Sequence, residues 1–362
     1  MPDSADDPIS ITPPAVTPVP AAPAETAGRP SALPPADGLA GVPHTEPAAA
    51  PTPVPPPAPK VVAVVGEIPF AGLAIARELV LNGMTARVLC PDAETEAAVL
   101  RAKPPVGLAT LECVRGTLDS AESIERVMAG AYGVVFVSPI TLTGRTFRGK
   151  QHLDDVRAVT SAAKAAKVER AVYHSALGAN PLSTTQALSH AALSEELFNA
   201  MDMEVYRLRT SVLMGRGDHF QSEVIDSARA GSPVMGMLGY GSTMIQPLHI
   251  NDMARCVARL FNPQSSLITP GVLSIAGPEL TTPMDLTDLA LERFGRVKLK
   301  VHAPLFVLKL LASVNSNAAF KEKVNLLFEG FCTDRNDLFR LLGGSYDLVT
   351  PRQSQDEILA AT

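Results

Sequence analysis

From residue 61 onward, short apolar runs alternate with stretches of helical periodicity. Val61–Val65 (VVAVV) is largely β-branched and has no polar alternation, the pattern of a strand buried on both faces. Residues 71–81 follow with helix formers and are closed by Gly83. Residues 86–90 predict a second strand ended by Pro91, 94–102 a helix, and 110–114 a third strand. Asp119 reads as the N-cap of a helix over 120–129. The remaining pattern predicts strands at 133–137, 170–174 and 204–208, separated by helices at 151–167 and 187–200. Such regular alternation predicts an α/β architecture with a doubly wound parallel sheet.

After residue 210 the periodicity loosens. Helices are expected at 222–230, 252–261 (capped by Asn251), 283–294 and 305–314, with one or two more within 317–342. Short strands are expected at 246–250 and 272–275. The chain therefore divides into a nucleotide-type domain at 61–212 and a smaller C-terminal lobe at 213–362 that completes the fold over the carboxyl ends of the strands. Met235, Met237, Leu238 and Tyr240, punctuated by Gly231, Gly236, Gly239 and Gly241, read as a flap. The segment 305–314 is apolar nearly all round, which suits a core helix or a docking element.

Composition adds a third region. Residues 1–60 hold 18 of the 32 prolines and very few large apolar residues, so they are expected to form a disordered Pro/Ala-rich tail. The tail has acids near its start and no apolar run, which fits neither a secretory signal nor a transit peptide. It is either a passive extension or a tether for a protein partner. The chain is net −6, and the tail contributes −4 of that from six acids and two bases. The near-neutral body has no basic block of the kind that binds nucleic acid. No apolar run is long enough to cross a membrane. Four cysteines without a CxxC pair suit a reducing, cytoplasmic setting, and no metal-ligand spacing is present.

The turn after the first strand carries the candidate chemistry. Gly66-Glu67-Ile68-Pro69-Phe70-Ala71-Gly72 has the spacing of a glycine-rich dinucleotide turn opening a helix, with Pro69 at the middle glycine. Proline adds a ring and removes an N–H that phosphate would accept from, and Glu67 adds negative charge beside an anionic ligand. Strand, turn and helix in this order define a Rossmann fold with Gly66, Ile68, Phe70 and Gly72 as candidate cofactor contacts.

Several further segments occur in the order expected of one family: Arg115-Gly116-Thr117-Leu118, Val134–Ser138, Val172–Ala179, Arg209-Thr210-Ser211, Gly215–Phe220, Gln246–Arg255 and Ala276–Leu280. Together they resemble the atypical, extended-type short-chain dehydrogenase/reductases, and within them the NmrA-like proteins and the dehydrogenase-like accessory subunit of respiratory complex I. The resemblance spans about residues 61–345 and implies NAD or NADP as cofactor, with Asp92, Thr117, Leu118, Ser138 and Ser175 joining the candidate contacts. It also exposes departures. The Asp that family members place toward the adenine is Thr117 here, and the Arg that holds a 2′-phosphate is replaced by Pro91 followed by Asp92. Asp92 either accepts from a ribose hydroxyl or caps the next helix.

Active members use a Tyr-x-x-x-Lys pair whose Tyr donates the proton. Counting back from Arg209, those places hold Ala187 and Ala191, or Gln186 and His190 after a one-residue slip. The catalytic residues are therefore unknown. The reading that follows is a catalytically degenerate NAD(P)-type module that binds weakly or not at all. The alternatives are an oxidoreductase or epimerase using another acid such as His190, and an accessory or assembly subunit that docks through its tail or C-terminal lobe. His174 and Ser175, adjacent on one strand, point to opposite faces and do not form a pair. His249, Asn251 and Asp252 read as a strand end and helix cap rather than a metal site.

Overall fold

A computed structural model describes residues 58–102, 109–139, 149–238, 241–262, 268–304, 306–307, 310, 324–326, 329–344 and 347–360. All but the last three residues of the expected tail, Gly239 and Tyr240 of the expected flap, and most of the segments 305–314 and 317–342 lie outside this set.

The first half follows the sequence pattern closely. Strands β1 (Val61–Gly66), β2 (Thr85–Cys90), β3 (Leu111–Arg115), β4 (Gly133–Val137), β5 (Arg170–Ala176) and β6 (Glu204–Thr210) alternate with helices α1 (Leu73–Leu81), α2 (Ala93–Arg101), α3 (Ala121–Met128), α4 (Gly149–Ala165) and α5 (Gln186–Asn199). The helix after Asp119 takes Ser120 as its cap instead, whose hydroxyl accepts from the Ser123 amide at 3.3 Å.

Then come β7 (Leu213–Met214), α6 (His219–Arg229), β8 (Val234–Leu238), β9 (Leu248–His249), α7 (Ile250–Phe261), β10 (Gly271–Ile275), α8 (Pro283–Arg293), β11 (Leu299–Ala303), α9 (Leu338–Leu342) and α10 (Pro351–Ala360). Seven strands form one parallel sheet in the order β3-β2-β1-β4-β5-β6-β10. β10 comes from beyond residue 212, and α7 packs on α1, so the C-terminal half completes the doubly wound layers. The order reverses between β1 and β4, the switch point where open α/β sheets hold ligands.

Alternation along β1 feeds both layers. Val62 and Val64 face α1 and α7 with Ile75, Leu79, Val257 and Phe261, while Ala63 and Val65 face α3 and α4 with Val127, Val156 and Val159. Both faces are covered, which is why the strand shows no polar alternation. Gly66 ends β1 at φ +101°, and a Cβ there would stand 2.1 Å from the Val137 carbonyl oxygen of β4. Only glycine lets β1 and β4 approach this closely at the switch point.

Two expectations are corrected in the second half. Met235 and Met237 belong to a strand, β8, and are buried, so they are not part of a flap. β8 pairs in parallel with β11 in a small separate ribbon. The cap of α7 is His249, whose Nδ1 accepts from the Asn251 amide, and not Asn251.

Candidate functional site

At the carboxyl ends of β1 and β4 lies a cleft of about 180 Å³, lined by Gly66, Glu67, Leu118, Phe136, Pro139, Gln151, His152 and Asp155. The chain leaves β1 through Gly66, the Glu67 amide donates to the Val137 carbonyl, and a π turn over Ile68–Gly72 opens α1. The Gly72 amide reaches back to the Glu67 carbonyl at 3.0 Å, five residues away, so the turn is wider than an ordinary helix start.

The other wall is the first part of α4. His152 is buried, its Nε2 lies 3.1 Å from the Tyr173 hydroxyl, and its ring stands edge-on to Phe136. Tyr173 stacks on Phe198 of α5. Burial holds the His152 imidazole down at about 4, with nearby His190 adding to the effect, so it is neutral at physiological pH. Burial drives the Tyr173 phenol well above its usual range, although the Ser194 and Ser138 hydroxyls pull the other way. Asp155 follows His152 by three residues on the same helix face and is pushed up to about 6, first by burial and then by Asp119 and Asp154. The cleft is thus an acidic one: Glu67 and Asp155 line it, and among the described lining residues there is no lysine or arginine.

The candidate contacts divide. Gly66 and Leu118 line the cleft. Ile68 and Gly72 are buried, Ile68 within the sheet core, and Phe70 packs against that core. Pro69 is exposed and is not among the lining residues. Asp92 caps α2, accepting from the Thr95 amide at 2.7 Å. Thr117 is exposed. Ser138 is buried near Tyr173. Ser175 is buried and donates to Glu195 Oε1 at 2.6 Å, while His174 on the opposite face meets Thr210 at 2.9 Å.

Glu195 of α5 also takes a bidentate pair from Arg209 of β6, at 2.8 and 2.7 Å. The Ser175 hydroxyl is therefore held inside a charged cluster. Ala187 and Ala191 are fully buried, in an apolar cluster with Leu177, Leu188 and Leu286. His190 is half-buried, within electrostatic reach of His152. Glu195, His152 and Asp155 do not stand out in the sequence. The available signals were an acid on α5 facing an arginine on β6, and a His and an Asp three apart at the start of α4.

Residues 71–213 match the model of an NAD(P)H-binding family. Among solved structures, the chain is similar to an NADPH-dependent quinone oxidoreductase of Escherichia coli complexed with NADPH (TM-score 0.62, 16% identity, 82% of this chain and 99% of that one). It is also similar to the epimerase Mth375 of Methanothermobacter thermautotrophicus (TM-score 0.64, 15% identity, 83% and 91%). A third is MoeE5 in complex with UDP-glucose and NAD (TM-score 0.62, 16% identity, 83% and 97%). The fold is thus that of NAD(P)-binding oxidoreductases and epimerases, and the resemblance to the atypical short-chain dehydrogenase/reductases holds at this level. The residues fit a dinucleotide in fold and turn position. They do not fit its charge, since carboxylates line the cleft and Asp92 is engaged as a cap.

Proposed function

We propose that the protein is a binding or regulatory module on a reductase fold that has lost the standard hydride-transfer machinery and holds NAD(P) weakly. One observation carries this reading. In neither register counted back from Arg209 does α5 supply the Tyr and Lys of active relatives: one gives Ala187 and Ala191, at 0% exposure in an apolar cluster, and the other gives Gln186 and His190. The serine of the usual set points to the same conclusion, because its hydroxyl is given to Glu195. A proton donor held in a buried ion-pair cluster does not reach a substrate carbonyl. Calorimetric titration of the full chain with NAD(H) and NADP(H), alongside turnover assays on quinones and ketones, tests the reading. Weak binding without turnover is expected; steady reduction of any of these substrates sinks it.

A second reading is favoured by Asp155, a carboxyl pushed up to about 6 in the cleft beside neutral His152. A group titrating there is suited to acid/base work, so an oxidoreductase or epimerase with Asp155 in place of the phenol is the alternative. Turnover that falls as pH rises through about 6, and that Asp155→Asn abolishes, would support it. Neither reading requires a protein partner, although an accessory role is compatible with both.

A further inference from the structure

The turn after β1 is short of positive charge for an anionic ligand. Pro69 offers no N–H, and the carboxyl groups of Glu67 and Asp155 line the cleft beside it. Arg170, Arg209 and Arg255, on β5, β6 and α7, are already paired with Glu204, Glu195 and Asp252. One loop of the second half reaches the turn. Residues 215–218 join β7 to α6, and a Cβ on Gly217 would lie 3.7 Å from Cδ2 of Phe70. The other end of this connection is anchored elsewhere: Phe220, at the start of α6, packs against the apolar cluster that holds Ala187 and Ala191. The loop therefore runs from the dinucleotide turn toward residues 186–191 of α5, into which both registers of the expected Tyr and Lys fall. That is the span a dinucleotide bound across the switch point would cover.

The loop is built to hold one shape. Gly215 and Gly217 take φ +141° and +97°, conformations that a side chain resists. A Cβ on Gly215 would press on Ile250 Cγ2 at 2.8 Å. The Asp218 carboxylate accepts from the Gly215 and Gln221 amides at 2.9 and 2.7 Å, and the Asp218 amide donates back to the Gly215 carbonyl at 3.0 Å. Arg216 stands between the two glycines. It is exposed, and among the described residues no carboxylate, carbonyl or ring engages its guanidinium. The two glycines and Asp218 account for the shape of the loop, and Arg216 adds nothing to it. A guanidinium forks onto two phosphate oxygens at once, and one that is not already paired keeps that capacity.

We propose that Arg216 binds the diphosphate of NAD(P), reaching the turn at residues 66–72 from its own loop and making up for the N–H that Pro69 removes. The inference rests on the reading that this turn holds NAD(P). The test is calorimetric titration of the full chain at low salt with NADH, ADP and adenosine, in wild type and in Arg216→Ala, Arg216→Lys and Arg216→Glu. Arg216→Ala is expected to weaken NADH and ADP about tenfold, the loss of one charge-assisted contact. Adenosine, which has no diphosphate, should bind the variant as it binds wild type. Arg216→Lys should keep part of the affinity, because the charge stays and the fork is lost, and Arg216→Glu should lose more than Arg216→Ala. Melting temperatures should stay at the wild-type value, since the side chain is exposed and unpaired. Added salt should weaken NADH binding more in wild type than in Arg216→Ala. Equal affinity of wild type and Arg216→Ala for NADH and ADP overturns the proposal, as does an equal loss for adenosine or a wild type that binds no ADP. Steady reduction of a quinone or ketone, with the Arg216→Ala loss intact, would sink the reading of lost hydride transfer and still support Arg216.

Discussion

Strands β5 and β11 answer the same question in opposite ways. All seven residues of β5 are buried, although Arg170, His174 and Ser175 among them are polar or charged. Each finds a partner inside: Arg170 with Glu204 and the Leu260 carbonyl, His174 with Thr210, Ser175 with Glu195. The segment of β11 also buries charge, through Lys298 just before the strand, but the strand turns Leu299 and Val301 to the outside. The polar groups of β5 are carried inside because a carbonyl, carboxylate or hydroxyl meets each of them, and an unmet one would cost a few kcal/mol. Apolar groups left outside have no such internal partner. The central sheet is therefore complete in itself, whereas the ribbon has a face left to be covered.

The sharpest way to break this comparison is at two glycines. Gly66→Ala would drive a Cβ to 2.1 Å from the Val137 carbonyl oxygen at φ +101°, and a destabilisation of about 3 kcal/mol or more is expected in urea melts. Gly236→Ala in β8 meets nothing within 4 Å and should change the midpoint by no more than about 0.5 kcal/mol. Equal effects at the two sites would show that the switch-point crowding does not limit stability.

Next in size is the charged cluster behind β5. Glu195 is almost wholly buried, and its removal leaves the Arg209 guanidinium and the Ser175 hydroxyl without their acceptor. Glu195→Ala is expected to cost about 3 kcal/mol, the bottom of the range for breaking buried pairs because Arg209 is partly exposed. Ser175→Ala, which removes only the neutral donor, should cost about 1 kcal/mol. If instead Ser175→Ala were the more damaging change, the cluster would be organised around the serine and its exclusion from chemistry would need revision.

These residues also show how far the sequence could be read. The sheet was legible because β1, β4 and the centre of β5 are apolar runs bounded by local turn signals; the Gly66 turn follows from strand-end chemistry, and Leu118 was implied by the family resemblance. Glu195 was not legible as the keeper of Ser175, since the contact joins residues 20 apart across a helix and a strand. The same holds for Asp155, whose perturbation comes first from burial and then from Asp119 brought alongside by folding. In the second half, β7 and β9 have two residues each, too few to show a period. β8 was hidden by glycines that read as a flap. β11 alternates like any half-buried strand, but which face is buried is decided by the carbonyls at the end of α6, which no local pattern reveals.

That helix links the two regions and offers a test by pH. Asp218 caps α6, accepting from the Gly215 and Gln221 amides, and burial pushes its carboxyl up to about 6. A carboxyl raised in the folded state stabilises the fold fully below its unfolded value, about 4, and the contribution is lost as pH rises through about 6. Wild-type stability should therefore fall by on the order of 2 kcal/mol across that window from this residue, and Asp218→Asn should lack the fall. A variant melting curve with the same pH slope as wild type would assign the effect to other groups.

The smallest pair of effects bears most directly on the ribbon. Lys298→Met keeps the side chain's length but removes the donors to the Ser227 and Ala230 carbonyls, so about 1–2 kcal/mol should be lost at the carboxyl end of α6, where a cation is also favoured by the helix dipole. Leu299→Ser, one residue away, should move stability in solution by no more than about 0.5 kcal/mol, because the side chain it replaces is 68% exposed. An ordinary strand gives the reverse, with the leucine costly and the lysine neutral. Thermal melts of the two variants side by side therefore decide whether the inverted register is real: a large loss from Leu299→Ser would return the leucine to the core and leave the ribbon no apolar face to offer.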